Sequence, residues 1–240
     1  MANYLKALNP VQLKAVKCTS GPVMVIAGAG SGKTRVLTYR IAYLMESGVD
    51  PFNILSLTFT NKAAREMKER VEKLIEDSDA KNLWMGTFHS VFAKILRIEG
   101  YRLGFPSNFT IYDAEDSRKV ISDVIKELGL EKEIYKAKSI FSRISTYKNN
   151  LITPKIYLVR AELQEIDSAA RIPKLGEIYS LYMERCFRSG AMDFDDLLVK
   201  TNELFIKFPE ILLKYQERFK YILVDEYQDT NHSQYLIVKA

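Results

Sequence analysis

The sequence predicts an α/β protein whose parallel sheet is interrupted by a helical insertion. Apolar strands alternate with amphipathic helices over the first hundred residues. Helical periodicity then dominates from about residue 108 to 190, and strand signal returns at YILVDE (221–226). Strand, helix, strand at this spacing argues for parallel strands joined by right-handed crossovers. The predicted division is an α/β domain over 1–107 and 196–240, with the helical insertion over 108–195.

Each element has its own signal. PVMVIA (22–27) reads as a buried strand leading into a glycine-rich turn. A helix follows through TRVLTYRIAYLMESG, with Gly48 placed to end it. ILSLTF (54–59) is the next strand, leading into NKAAREMKERVEKLIED. There Ala63, Ala64, Met67, Val71, Leu74 and Ile75 form one apolar stripe. LWMGTF (83–88) is the third strand. Asp113 caps a helix over AEDSRKVISDVIKELG, with Asp116 at the reciprocal third position. Pro154 and Pro173 interrupt the helical stretch that follows.

A chain of 240 residues buries one good core, or one core and a smaller lobe. No window approaches 18 consecutive apolar residues, so no membrane span and no membrane partner are expected. The opening MANYLKALNPVQ lacks the apolar centre and cleavage site of a secretory signal. Cys18 and Cys186 form no metal-ligand spacing; they read as small core residues in a reducing, cytoplasmic compartment. A net charge of +5 permits a polyanionic partner without demanding one.

AGAGSGKT (27–34) lies between a strand and a helix, the setting of a phosphate-binding P-loop. Gly28, Gly30 and Gly32 permit a tight, positive-φ backbone, so that N–H groups along Ala27, Gly28, Ala29, Gly30, Ser31 and Gly32 turn toward phosphate oxygens. The helix starting near Lys33 adds its N-terminal partial charge. Lys33 reaches the β and γ phosphates, and Thr34 offers its hydroxyl to Mg²⁺. Ala27 stands where the strict pattern has glycine, which fits a position still in the strand. The turn predicts a bound nucleoside triphosphate.

A P-loop needs an acid at the end of a neighbouring strand to hold Mg²⁺. YILVDE supplies Asp225 for the metal, and Glu226 to orient and deprotonate a water for attack on the γ-phosphate. Adjacent acids distinguish NTP hydrolases from P-loop kinases, which transfer to another acceptor.

LNPVQ (8–12), AGAGSGKT, LTFTNKAAREM (57–67), GTFHS (86–90) and VDEYQDTN (224–231) occur in the family order of UvrD/PcrA/Rep-type superfamily 1 DNA helicases, and the chain resembles their N-terminal portion. MDFDDLL (192–198) and ISTYKN (144–149) resemble stretches of that family's helical insertion. The resemblance implies a RecA-like domain, 1A, carrying a helical subdomain, 1B. It implies ATP as the nucleotide, with Gln12 on the adenine edge and Arg35 stacked on the ring.

The resemblance also implies single-stranded and junction DNA as partner. Thr58, Phe59, Thr60 and Asn61 would meet it at the carboxyl edge of the sheet, with Thr87, Phe88 and His89 beside them. Phe59 reads equally as a base-stacking ring or a core residue, and His89 as a groove residue or a structural one. Lys148 and Asn149 read either as phosphate contacts or as a solvated helix end. The acids of DFDD (193–196) read as helix capping rather than metal ligation.

The family's second RecA-like domain, with its arginine finger, has no counterpart in these residues. The expectation is therefore a monomeric fragment that binds ATP weakly and does not unwind DNA by itself. The rival readings are the motor part of a helicase–nuclease and a DNA-binding module that no longer hydrolyses ATP. Lys33, Thr34, Asp225 and Glu226 together argue against the last.

Overall fold

In the computed structural model, residues 3–28, 30–75 and 82–240 are described. They divide into two compact units, Met1–Val91 with Leu213–Asp229, and Phe92–Leu212 with Thr230–Ala240. The expected insertion, 108–195, falls wholly within the second.

The first unit opens with α1 (Pro10–Lys17) and α2 (Lys33–Glu46). Asn9 caps α1, and Gln12 answers it from the third helical position in a reciprocal capping box. Gly48 ends α2 as expected: at φ +87° it lets Val49 N–H reach back to the Leu44 carbonyl at 3.0 Å. Strand β1 (Ile54–Thr58), helix α3 (Asn61–Ile75) and strand β2 (Trp84–Thr87) follow. Met67 and Val71 are the buried centre of the α3 stripe. Helix α4 (Phe88–Glu99) then carries the chain into the second unit.

The second unit continues with β3 (Thr110–Tyr112), α5 (Ala114–Glu127), α6 (Ala137–Asn149), α7 (Pro154–Val159), α8 (Ala161–Ala169) and α9 (Leu175–Arg188). Asp113 and Asp116 close the predicted capping box on α5. Pro154 takes the first turn of α7, where its missing N–H costs nothing. Strand β4 (Ala191–Asp193) precedes α10 (Phe194–Lys207) and α11 (Pro209–Arg218). A short parallel pair, β3 with β4, lies among these helices; three-residue strands are too brief for helical periodicity to reveal. The chain re-enters the first unit at Leu213, within α11, forms β5 (Tyr221–Val224) there and closes with α12 (His232–Lys239) in the second.

The sheet of the first unit has the order β2-β1-β5, all parallel. All five residues of β1 are buried, because it is central and its neighbours flank both edges. Ile41 and Leu44 of α2, Val71 of α3, Ile54 of β1 and Leu223 of β5 share one core. Leu5, Val16 and Val36 seat α1 on α2. The core of the second unit gathers Ile121, Val124, Ile140, Ile144, Tyr179 and Tyr182 from α5, α6 and α9.

One predicted strand is absent. Residues 22–27 have no regular structure, and Met24 and Ile26 are 75% and 89% exposed. β propensity organises a segment only when a neighbouring strand pairs its backbone. Both edges of β1 are taken, and 22–27 joins neither outer strand. Cys18 is likewise not a core residue: it is exposed just beyond α1, while Cys186 is buried.

Candidate nucleotide site and neighbouring sheet edge

The glycine turn closes on itself. Gly30 and Gly32 have φ +75° and +88°, whereas Gly28 does not enter the left-handed region, so two of the three predicted positions carry the turn. Ser31 donates to the Gly28 carbonyl through its N–H at 3.3 Å and its hydroxyl at 2.6 Å. Gly32 is the N-cap of α2, and its carbonyl accepts the Val36 N–H at 3.0 Å. Lys33 Nζ rests 3.3 Å from the Ala27 carbonyl, a neutral acceptor that a phosphate would displace. Ala29 lies outside the described residues.

The acids are placed by the sheet. Asp225 N–H donates to the Leu57 carbonyl at 2.9 Å, extending the β1–β5 ladder one residue beyond Val224. This fixes a buried carboxylate whose Oδ2 lies 3.5 Å from Thr34 Oγ1. Burial, and then the Glu226 charge, raise the Asp225 pKa above its ordinary value; the Glu226 N–H, Thr34 and Lys33 offset this in part. A desolvated carboxylate facing a hydroxyl, beside a second acid, is a hard-oxygen donor set suited to Mg²⁺.

Glu226 adopts φ +48°, a left-handed conformation disfavoured for a side-chain-bearing residue. Its carbonyl accepts the Asp229 N–H at 2.9 Å, and its carboxylate accepts the Gln228 side-chain amide at 2.6 Å. Gln228, whose separate role the sequence did not define, thus holds the predicted base.

Neither predicted adenine contact is idle. The Gln12 Oε1 accepts the Asn9 N–H at 3.1 Å, and Nε2 donates to the Ser31 carbonyl at 3.0 Å. The Asn9–Gln12 spacing is a legible capping box, but its link to Ser31 carried no sequence signal. The Arg35 guanidinium lies 5.3 Å from the Tyr39 ring centroid, a cation–π contact within its own helix.

At the sheet edge, burial divides the predicted DNA contacts. Thr58, Thr87 and Phe88, expected to meet DNA, are buried. Thr58 and Thr87 face each other across the β1–β2 register, and Thr87 Oγ1 accepts the Ser90 N–H at 3.2 Å at the start of α4. Phe88 is 1% exposed because it turns into the core, where Phe59 meets it with ring centroids 5.6 Å apart. Thr60 and Asn61 are exposed, and Phe59 and His89 half-buried. Thr60 Oγ1 also caps α3 by accepting the Ala63 N–H at 3.1 Å.

Residues 8–240 match the UvrD/REP helicase N-terminal domain. The chain belongs to the UvrD/REP helicase family. It is 48% identical over 240 residues to the ATP-dependent DNA helicase PcrA of Staphylococcus aureus, covering all of this chain and 32% of that protein. Against PcrA of Bacillus subtilis it is 47% identical over 236 residues, 98% of this chain and 31% of the relative. The chain spans about a third of the length of these relatives. Among the described residues, no helix is long and apolar enough to cross a membrane.

The second unit of this UvrD/REP domain holds charges the sequence placed elsewhere. Lys148, weighed as a phosphate contact or a solvated helix end, is 1% exposed and is neither. Its Nζ lies 2.7 Å from Asp193 Oδ2 and 2.7 Å from Asp196 Oδ1. Asp193 and Asp196 also form the capping box of α10, so the capping expectation holds and a buried ion cluster is added to it. Tyr182 donates its hydroxyl to Asp193 Oδ2 at 2.6 Å. Asn149 donates to Asp195 at 3.2 Å and accepts from Asn231, the α12 cap, at 2.6 Å, which ties it to protein partners rather than leaving a solvated end.

Proposed function

We propose that this chain is the N-terminal ATP-binding part of a DNA helicase motor. It binds and hydrolyses Mg-ATP, and in the full-length protein hydrolysis drives movement along single-stranded DNA and duplex unwinding, in repair or replication. The observation that carries this reading is the Thr34–Asp225 apposition beside the left-handed turn at Gly30 and Gly32.

Lys33 exchanges the Ala27 carbonyl for the β and γ phosphates, while the backbone of 27–32 lines their oxygens. Thr34 and Asp225 hold Mg²⁺, which when bound neutralises charge developing on the phosphates. Glu226 takes the proton of the attacking water, with Gln228 fixing its carboxylate. Gln12 and Arg35 serve the adenine, Arg35 trading the Tyr39 ring for the base. Thr60, Asn61, Phe59 and His89 serve the nucleic acid through stacking and phosphate or sugar contacts. Residues 1–107 with 196–240 take the role of domain 1A, and 108–195 that of 1B.

ATP turnover by a chain of the relatives' full length tests this. Single-stranded DNA is expected to raise turnover, and Lys33→Ala to abolish it; turnover indifferent to DNA contradicts the reading. These 240 residues alone are expected to bind ATP weakly and to unwind nothing, which robust unwinding would overturn.

A further inference from the structure

The Gln12 carboxamide stands between two backbones. Its Oε1 closes the capping box of α1 on Asn9 N–H, so the side chain is held from below by a helix packed on α2. Its Nε2 donates to the carbonyl of Ser31, in the middle of the glycine turn, at 3.0 Å. A Cβ built on the next residue, Gly32, would come within 3.0 Å of that same Nε2. The turn therefore meets Gln12 by hydrogen bond at Ser31, and leaves too little room for a side chain at the next residue without displacing the carboxamide.

We infer that Gln12 is a positioning residue for the phosphate-binding turn and acts independently of the nucleotide base. By holding the Ser31 carbonyl back toward α1, it turns the following peptide N–H groups, at Gly32 and Lys33, toward the space a phosphate fills. The glycine at position 32 serves this contact as well as the turn, since a side chain there would push the carboxamide away. A neutral carboxamide has two N–H groups and two lone pairs; one of each is used here, and the others remain for an adenine. Base recognition and turn positioning are thus compatible on one side chain.

This inference rests on the turn being a phosphate site, and the test separates the two. Affinities for Mg-ATP and for magnesium tripolyphosphate, which has no base, are measured on wild type, Gln12→Met and Lys33→Ala. Methionine is neutral and of similar length, and it leaves the Asn9 side chain capping the backbone N–H of residue 12. Gln12→Met is expected to weaken tripolyphosphate by about tenfold, the effect of one lost hydrogen bond, and Mg-ATP by more, because the adenine contact is lost with it. Amide hydrogen exchange at Ser31, whose N–H is held by the Gly28 carbonyl, is expected to rise in the ligand-free variant, while the thermal midpoint stays within a few degrees. Tripolyphosphate affinity within twofold of wild type, or unchanged exchange at the turn, overturns the positioning role. If Lys33→Ala also leaves tripolyphosphate affinity intact, the phosphate reading of the turn itself falls. Loss with Lys33→Ala but not with Gln12→Met removes only the present inference.

Discussion

Thr34 Oγ1 and Asp225 Oδ2 lie 3.5 Å apart although 191 residues separate them in the chain. Nothing local brings them together: α2 delivers the hydroxyl, and the β1–β5 ladder delivers the carboxylate. Because Asp225 is raised by burial and by Glu226, its ionised form is a cost to the ligand-free fold above its own pKa, relieved as pH falls through it. Asp225→Asn is therefore expected to stabilise the ligand-free protein by about 1 kcal/mol at neutral pH while removing the Mg²⁺-dependent part of ATP affinity. Protons compete with the metal, so Mg-ATP affinity in wild type falls with decreasing pH before an ordinary carboxylate would titrate. Denaturant melts and calorimetry with and without Mg²⁺ read both effects; a destabilised variant with full Mg²⁺ dependence contradicts them.

Glu226 pairs function with strain. Its left-handed φ of +48° is a conformation glycine adopts freely, so Glu226→Gly is expected to gain about 1 kcal/mol of stability. Glu226→Gln keeps the shape and the Gln228 neighbour but cannot take a proton. It is expected to bind ATP normally and to lose about 10²–10⁴-fold in turnover, measured on the full-length protein. Turnover within a few-fold of wild type excludes Glu226 as the base.

The buried cation of the second unit makes a prediction about stability alone. Lys148→Met leaves Asp193 and Asp196 without their counter-charge in the core. The expected cost is roughly 3–5 kcal/mol in denaturant unfolding of that unit, because an uncompensated buried charge remains. A loss below about 1 kcal/mol would mean the cluster is open to water.

One ammonium faces two carboxylates, and the proton count follows. Burial and the neighbouring Asp193 push Asp196 up to about 6, with Lys148 offsetting part of this. Burial also pushes Asp193 up, but Lys148 and its hydrogen bonds outweigh that and hold it below the usual range. Asp193 therefore contributes stability above the unfolded carboxylate pKa of about 4, lost as pH falls below it. Asp196 has the opposite sign: its ionisation costs stability as pH rises toward and through about 6. Wild type is expected to gain stability between pH 7 and 5, and Asp196→Asn to flatten that gain. Identical pH profiles of the thermal midpoint for the two proteins would contradict this.

Much of this was legible in the sequence, where the signal was local or periodic. The Asp113 and Asp193 caps, the Gly48 terminus and the strand delivering Asp225 follow from residue type and spacing. What was not legible depended on partners distant in the chain. Residues 22–27 have strand composition but no strand beside them, so their propensity was overridden. Lys148 looked like a solvent charge because its carboxylates lie 45 and 48 residues away. Thr58, Thr87 and Phe88 occupy strand or helix ends, where alternation does not decide which side chain turns inward. Two N-x-x-Q spacings, Asn9–Gln12 and Asn231–Gln234, were readable as capping boxes and mark the starts of α1 and α12.

The most direct test of the central claim is calorimetric titration of Mg-ATP into wild type and Lys33→Ala. Binding heat in wild type and its loss in Lys33→Ala is the predicted result. Equal heats in both proteins would contradict the assignment of residues 27–34 as the phosphate site.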